Sequence, residues 1–224
     1  MYGGLMTDQS AERKKFNKER FDIISEEKQL QVLQAAIDEF SENGFNGTSI
    51  NKVAKRANIS IGAMYSYFES KEDLFLSIVE RMFCVLEKAL EKVDVNRDFY
   101  EVVEELFVVA HDYAISNPQL NQIYLDFSTH SLSNLSSKVS RRLETISNDL
   151  YRSIITKAQI NHVIDSSLDP SMLSFIIDNL IMMYHFSFTS DYYKERMCIF
   201  LGSELLDAPS LQIDEIMKII RKLA

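Results

Sequence analysis

The 224-residue chain has no tryptophan, two cysteines, three prolines and six glycines. A β-rich fold needs a turn signal roughly every 8–12 residues, and so little punctuation cannot supply it. The expected fold class is therefore all-α. Cys84 and Cys198 lie far apart among apolar neighbours and match no metal-ligand spacing, so they read as reduced thiols of a reducing cytosol. The histidines (His111, His130, His162 and His185) show no ligand spacing either, apart from the weak pairing of Asp126 with His130 at i, i+4. No metal and no cofactor are expected. Long apolar runs are missing too. The longest, residues 173–188, is broken by Asp178, Asn179 and His185 and is too short to cross a bilayer. The N-terminus is too polar for a signal peptide. These absences predict a soluble, cytoplasmic protein with no membrane partner. No nucleophile motif, phosphate-binding loop or metal cluster is present, and the adjacent Glu104 and Glu105 point in different directions on a helix. No catalytic residue is assigned, and an enzyme is excluded.

What is present is a 46% hydrophobic content, enough for a sizeable core, and a net charge of −9. Acidity argues against nucleic acid only if it is evenly spread, because counterion release depends on the cations beside the phosphates. It is not evenly spread. Residues 44–71 carry Lys52, Lys55, Arg56 and Lys71 against Glu69 alone, whereas from Leu76 onward 14 basic residues face 21 acidic ones.

Residues 44–71 read GFNGTSINKVAKRANISIGAMYSYFESK. Two short periodic runs, INKVAKRA and IGAMYSYF, flank Asn58-Ile59-Ser60, and neither can bury its apolar face alone. With the preceding helix, whose stripe is Leu30, Leu33, Ile37 and Phe40, they form a three-helix helix-turn-helix unit. Ser25 is a candidate N-cap for the first helix, Gly44 its positive-φ terminator, and Thr48 or Ser49 the cap of the second. Ser60 caps the third, in which Met64 and Phe68 face the core. Gly62 costs about 1 kcal/mol relative to alanine, which makes sense where a backbone approaches a partner closely. Tyr65 and Tyr67 suit phosphate contacts. Lys71 stands in the first turn of the next helix, where a cation is disfavoured, and a nearby phosphate would resolve that. This long helix, predicted over residues 70–93, continues into the following domain. Ahead of the unit, residues 1–24 form a basic leader containing Arg13, Lys14, Lys15, Lys18 and Arg20. It is either a solvated tail or an arm reaching DNA, and Phe16, Phe21, Ile23 and Ile24 predict that its end docks on the domain.

Ala35-Ala36, Phe40, Gly44-Phe45, Thr48-Ser49-Ile50, Val53-Ala54, Ala57, Ile59-Ser60, Gly62, Tyr65, Tyr67-Phe68, Lys71 and Leu74 together resemble the TetR family (tetracycline-repressor-like) of bacterial transcription regulators. The likeness spans residues 28–75. It implies a homodimer binding a palindromic operator in double-stranded DNA, with a divergent C-terminal domain that binds an effector and makes the dimer. It also implies phosphate contacts from Thr48, Tyr65, Tyr67 and Lys71, and groove contacts from Ser60, Ile61, Gly62 and Ala63, with Ser49 beside them. Ile61 stands where relatives commonly place lysine or arginine. An aliphatic side chain there can meet a thymine methyl but not a guanine edge.

The expected division is residues 1–24 as leader, 25–72 as the DNA-binding domain and 73–224 as a larger helical effector-binding and dimerisation domain. In that last part, helices are predicted near 98–117, 120–127, 138–159, 170–188, 191–205 and 213–223, with a serine-rich loop at 129–137. Its aromatics and methionines are core by default, yet together they could line a pocket for an apolar or aromatic small molecule. Phe107, Tyr113, Tyr124, Phe127, Phe175 and Met183 are the candidates. Residues 175–188 are apolar almost all round, as burial in a dimer interface requires. Two functions remain open at this level. One is an effector-released repressor; the other is a DNA-binding dimer whose second domain serves only dimerisation or a protein partner.

Overall fold

The computed structural model describes residues 15–128, 132–136 and 140–223, and every regular element among them is a helix. The chain divides into two compact units, one ending at Ile78 and the other beginning at Val79.

The first unit holds α1 (Glu19–Asp22), α2 (Glu26–Gly47), α3 (Ile50–Arg56), α4 (Ile61–Tyr67) and the start of α5 (Lys71–Leu90). Serines begin α2 to α5, the first three as the sequence predicts. Ser25, Ser49 and Ser60 accept from the backbone N–H groups of Lys28, Lys52 and Ala63, and Ser70 accepts from that of Asp73. Gly44 has φ 65°, the expected positive value, and it kinks α2 rather than ending it: one further turn follows to Gly47. Asn58, at φ 50°, makes the turn between α3 and α4 together with a bond from Ile59 N–H to the Ala54 carbonyl. Asparagine is among the few side-chain-bearing residues that tolerate that conformation. The core is built from Val32, Ala36, Phe40, Val53, Ala54, Ala57, Met64, Phe68, Leu74 and Phe75. Phe40, Phe45 and Phe75 form an aromatic trio with ring centroids 5.1–6.0 Å apart.

The leader ends in the short α1, which periodicity did not predict. Phe16 and Phe21 are buried, the latter against Tyr67 and Phe68, while Ile23 is exposed. Lys18 bonds the Tyr67 carbonyl through its N–H and the Tyr65 carbonyl through Nζ, and pairs with Glu69 at 2.6 Å. Lys15 pairs with Asp22. Arg13 and Lys14 lie outside the described residues.

The second unit contains the rest of α5, α6 (Phe99–Ser116), α7 (Pro118–Phe127), the single turn α8 (Ser133–Ser136), α9 (Ser140–Ile160), α10 (Pro170–Phe186), α11 (Asp191–Leu201), α12 (Ser203–Leu206) and α13 (Pro209–Leu223). Helix α10 packs on α6 and α9, and α13 packs on α6. Their core joins Val103, Leu106, Phe107, Ile155, Ile177, Ile181, Tyr184 and Met217. The helix predicted over 191–205 is two helices, because Gly202 at φ 78° breaks it. Part of the predicted serine-rich loop is helical at α8; residues 129–131 and 137, His130 included, lie outside the described residues. No helix of the described chain is long and apolar enough to cross a membrane.

Candidate functional site

Two sites emerge, one in each unit. In the first, the exposed surface of α4 is its opening turn. Ser60, Ile61 and Gly62 are exposed, Ala63 is half-buried and Tyr65 is exposed, while Met64, Tyr67 and Phe68 face inward. A Cβ placed on Gly62 would meet nothing nearer than the Ser60 hydroxyl at 3.9 Å, so nothing in the chain itself requires glycine there. Asn51, Lys55 and Asn58 join Ser60 and Ile61 around a shallow, open hollow.

Three of the sequence-assigned phosphate contacts sit differently from expectation. Thr48 is only 4% exposed, and its hydroxyl donates to the carbonyls of Glu39 and Gly44 at 3.0 and 2.8 Å. Its hydroxyl is spent closing the α2 kink, and Ser49, half-buried, does the capping. Tyr67 is buried against Phe21. The Lys71 ammonium, at the start of α5, donates to the carbonyls of Phe45 and Thr48 at 2.9 and 3.2 Å and lies 4.4 Å from the Phe45 ring centre. Those carbonyls and that ring already compensate a cation in a first helical turn. The local positive charge is partly spoken for as well. Arg56 forks onto Glu42 at 3.1 and 2.7 Å, and Lys52 lies 3.6 Å from the buried Glu39. Both acids lie in α2, just ahead of the positively charged stretch 44–71. Lys55, exposed, carries no ion pair among the described residues.

The second site is a cavity of about 120 Å³ inside the second unit. Its walls are Met82, Phe83, Leu86 and Leu90 of α5, Leu106, Val109, Ala110 and Tyr113 of α6, Asn121 and Tyr124 of α7, Glu144, Ser147 and Tyr151 of α9, and Asp178, Ile181, Met182 and His185 of α10. Of the six sequence candidates, Tyr113 and Tyr124 line it. Phe107 and Phe127 are core, packed against Tyr184 and Phe83 respectively. Phe175 is 65% exposed and Met183 is also exposed, both on the opposite side of α10 from its core residues. An apolar run faces two ways, and hydropathy alone does not say which way each residue points.

The polar lining is unusual for its lack of internal partners. Tyr113, 8% exposed, has a buried hydroxyl with no hydrogen bond, and burial holds its phenol protonated. Asn121, 1% exposed, donates from Nδ2 to the Ala114 carbonyl at 2.9 Å and leaves Oδ1 unmatched. Each such orphaned group costs about 1–3 kcal/mol. Burial pushes Tyr124 up to about 12, and among the described residues its hydroxyl meets the Met182 sulfur at 3.8 Å. His185 is held below its ordinary value by burial, with Nδ1 3.1 Å from the Ala110 carbonyl.

Burial, reinforced by Glu144, pushes Asp178 up to about 6 from an ordinary 3.8. Between those values the folded chain holds a proton that the unfolded chain has released, so stability falls as pH rises through this window. Asp178→Asn should therefore melt above the wild type at about pH 7.5, with the gap closing toward about pH 4. Melting curves recorded across that range check it. A lower melting temperature at neutral pH would contradict it.

A helix-turn-helix unit followed in the chain by a helical unit with an internal cavity is an architecture suited to a one-component regulator. Residues 32–78 match the family model described as bacterial regulatory proteins, tetR family. The first unit therefore carries the DNA-binding domain of that family, and the relatives matched over most of the chain are transcription regulators. It is 25% identical over 180 residues to the HTH-type transcriptional repressor NicS of Pseudomonas putida, covering 79% of this chain and 81% of that one. It is 27% identical to the HTH-type transcriptional regulator YvdT of Bacillus subtilis over 78% and 93% of the two chains. Among solved structures, the transcriptional regulator FadR of Bacillus subtilis, in complex with stearoyl-CoA, superposes with a TM-score of 0.66 at 22% identity, over 84% of this chain and 96% of that one. A TetR-family regulator from Chloroflexus aurantiacus gives 0.62 at 19% identity, over 92% and 97%. Those two share the fold.

Proposed function

We propose that the protein is a homodimeric repressor that reads a palindromic operator through the opening turn of α4 and leaves it when a small molecule enters the cavity of the second unit. The observation that carries the DNA contact is the exposure pattern of α4, where Ser60, Ile61, Gly62 and Tyr65 stand outward on a helix anchored by Met64 and Phe68. Lys55 is the cation best placed to meet phosphate, with Ser49 and Ala63 at the edges of the contact. Thr48, Tyr67 and Lys71 hold the surface in shape. Repression follows the relatives named as repressors, NicS and the IcaR negative regulator of Staphylococcus epidermidis. Release works by population shift: an effector that binds one arrangement of the second unit better shifts α5, which belongs to both units, toward that arrangement.

The operator is found by recovering genomic fragments that the purified protein retains, and three variants then test the surface. Gly62→Ala should keep full thermal stability, since the methyl has room, yet weaken operator binding by at least about tenfold, or 1.4 kcal/mol. Lys55→Ala should weaken binding to all sequences alike and reduce the salt slope by about one. Tyr65→Phe should weaken binding without moving the slope. Unchanged affinity in all three would refute α4 as the reading element.

A further inference from the structure

We propose that the effector is an organic cation, a protonated amine on an apolar or aromatic body; this rests on the effector reading above. Among the cavity's polar groups, the hydroxyls of Tyr113, Tyr124, Tyr151 and Ser147 can turn either way, and those with a fixed sense are acceptors. The Asn121 amide is oriented by its bond to the Ala114 carbonyl, which can only accept, so the unmatched atom is the acceptor Oδ1. The Ala110 carbonyl likewise fixes the His185 proton on Nδ1, and a ring kept neutral by burial then has only a lone pair on Nε2. Asp178 and Glu144 add carboxylates, the first half-buried and the second at an exposed position. Tyr113 supplies an unpartnered hydroxyl whose oxygen can also accept.

A ligand matching this set must bring N–H donors and positive charge. The phenol rings among the walls add faces that attract a cation. The described lining residues include no lysine and no arginine. An anionic ligand would therefore meet two carboxylates without a counter-charge, at a cost that burial increases. The fold is shared with a regulator bound to stearoyl-CoA, but the chemistry of this lining differs from what an anion requires.

Three probes with one body and different heads separate the possibilities: 4-phenylbutylamine, 4-phenylbutan-1-ol and 4-phenylbutyrate, titrated calorimetrically into the full-length protein. The amine should bind at least about tenfold tighter than the alcohol, and the carboxylate weakest. Asp178→Asn, which should fold at least as stably as the wild type, should reduce amine binding to the level of the alcohol and leave the alcohol within about twofold. Glu144→Gln should weaken the amine by a smaller factor in the same direction. Equal or tighter binding of the alcohol or carboxylate, or an amine affinity indifferent to Asp178→Asn, overturns the cation assignment while leaving an effector cavity in place. If none of the three probes binds, the effector reading fails with it.

Discussion

Replacing Phe175 and Leu180 together by glutamate should convert the protein to a monomer at micromolar concentration and cost at least about a hundredfold in operator affinity. Helix α10 carries Met172, Phe175, Ile176, Leu180 and Met183 on one exposed stripe, while Ile177, Ile181 and Tyr184 on the other side bury into the core. An apolar stripe of that length marks an association surface. The proposed occupant is the same stripe of a second copy, a self-complementary contact about a two-fold axis. Two carboxylates on each copy would be desolvated beside those of its partner, so the variant is blocked from pairing rather than merely weakened. A lone recognition helix reads one half-site. It falls back toward non-specific affinities of roughly 10⁻⁴ to 10⁻⁶ M from the roughly 10⁻⁸ M or better of a specific dimer. Sedimentation equilibrium reads the mass and a fluorescence-anisotropy titration reads the affinity. A variant that stays dimeric moves the interface elsewhere.

The second large effect is expected from Phe75→Ala. Phe75 is 1% exposed and meets the rings of Phe40 and Phe45 edge-on, each at 5.1 Å. Phe45 in turn bears the Lys71 ammonium on its face. Removing one ring therefore leaves a cavity and loosens the support under Lys71, whose bonds tie the last turn of α2 to the first of α5. Phenylalanine truncations in cores cost about 3–5 kcal/mol. A small domain has only about 5–15 kcal/mol in all. DNA binding should be lost near physiological temperature while the second unit stays folded. Amide exchange distinguishes the outcomes: α2, α3 and α4 should exchange much faster, and the core of α6 and α10 should not. Uniform protection across both units would disprove the trio's role.

The sequence was most legible where local rules and packing agree. Ser25 and Ser60 announce helix starts, Gly44 its positive φ, and the Met64–Phe68 pair which side of α4 faces in. Thr48 and Lys71 look free for phosphate in the sequence, and the structure gives each internal partners. A hydroxyl or ammonium on a short unit looks available until the carbonyls of Glu39, Gly44, Phe45 and Thr48 come within reach, and that convergence is tertiary. The cavity was half visible. Tyr113 and Tyr124 were picked out for their aromaticity, whereas Asn121, Asp178 and His185, which give the site its character, were not. Yet a signal existed. Asp178 and His185 interrupt an otherwise apolar helix at a spacing of two turns, which puts them on one face. They break the run as a membrane span and, for His185, show no metal spacing, but two polar residues on one face of a buried helix also mark something polar to be met.

The unmatched groups of Tyr113 and Asn121 bear on how long each molecule lasts in the cell. A ligand that satisfies them stabilises the folded chain by mass action, about 2.7 kcal/mol at a hundredfold excess over its Kd. Proteases clear chains that open, so if such a ligand binds, the protein's lifetime is expected to rise with its supply. For a repressor the two effects oppose each other: the small molecule empties the operator while the pool of regulator grows. When the ligand is consumed, more copies than before would be ready to bind, and rebinding of the operator would be faster than with the smaller pool.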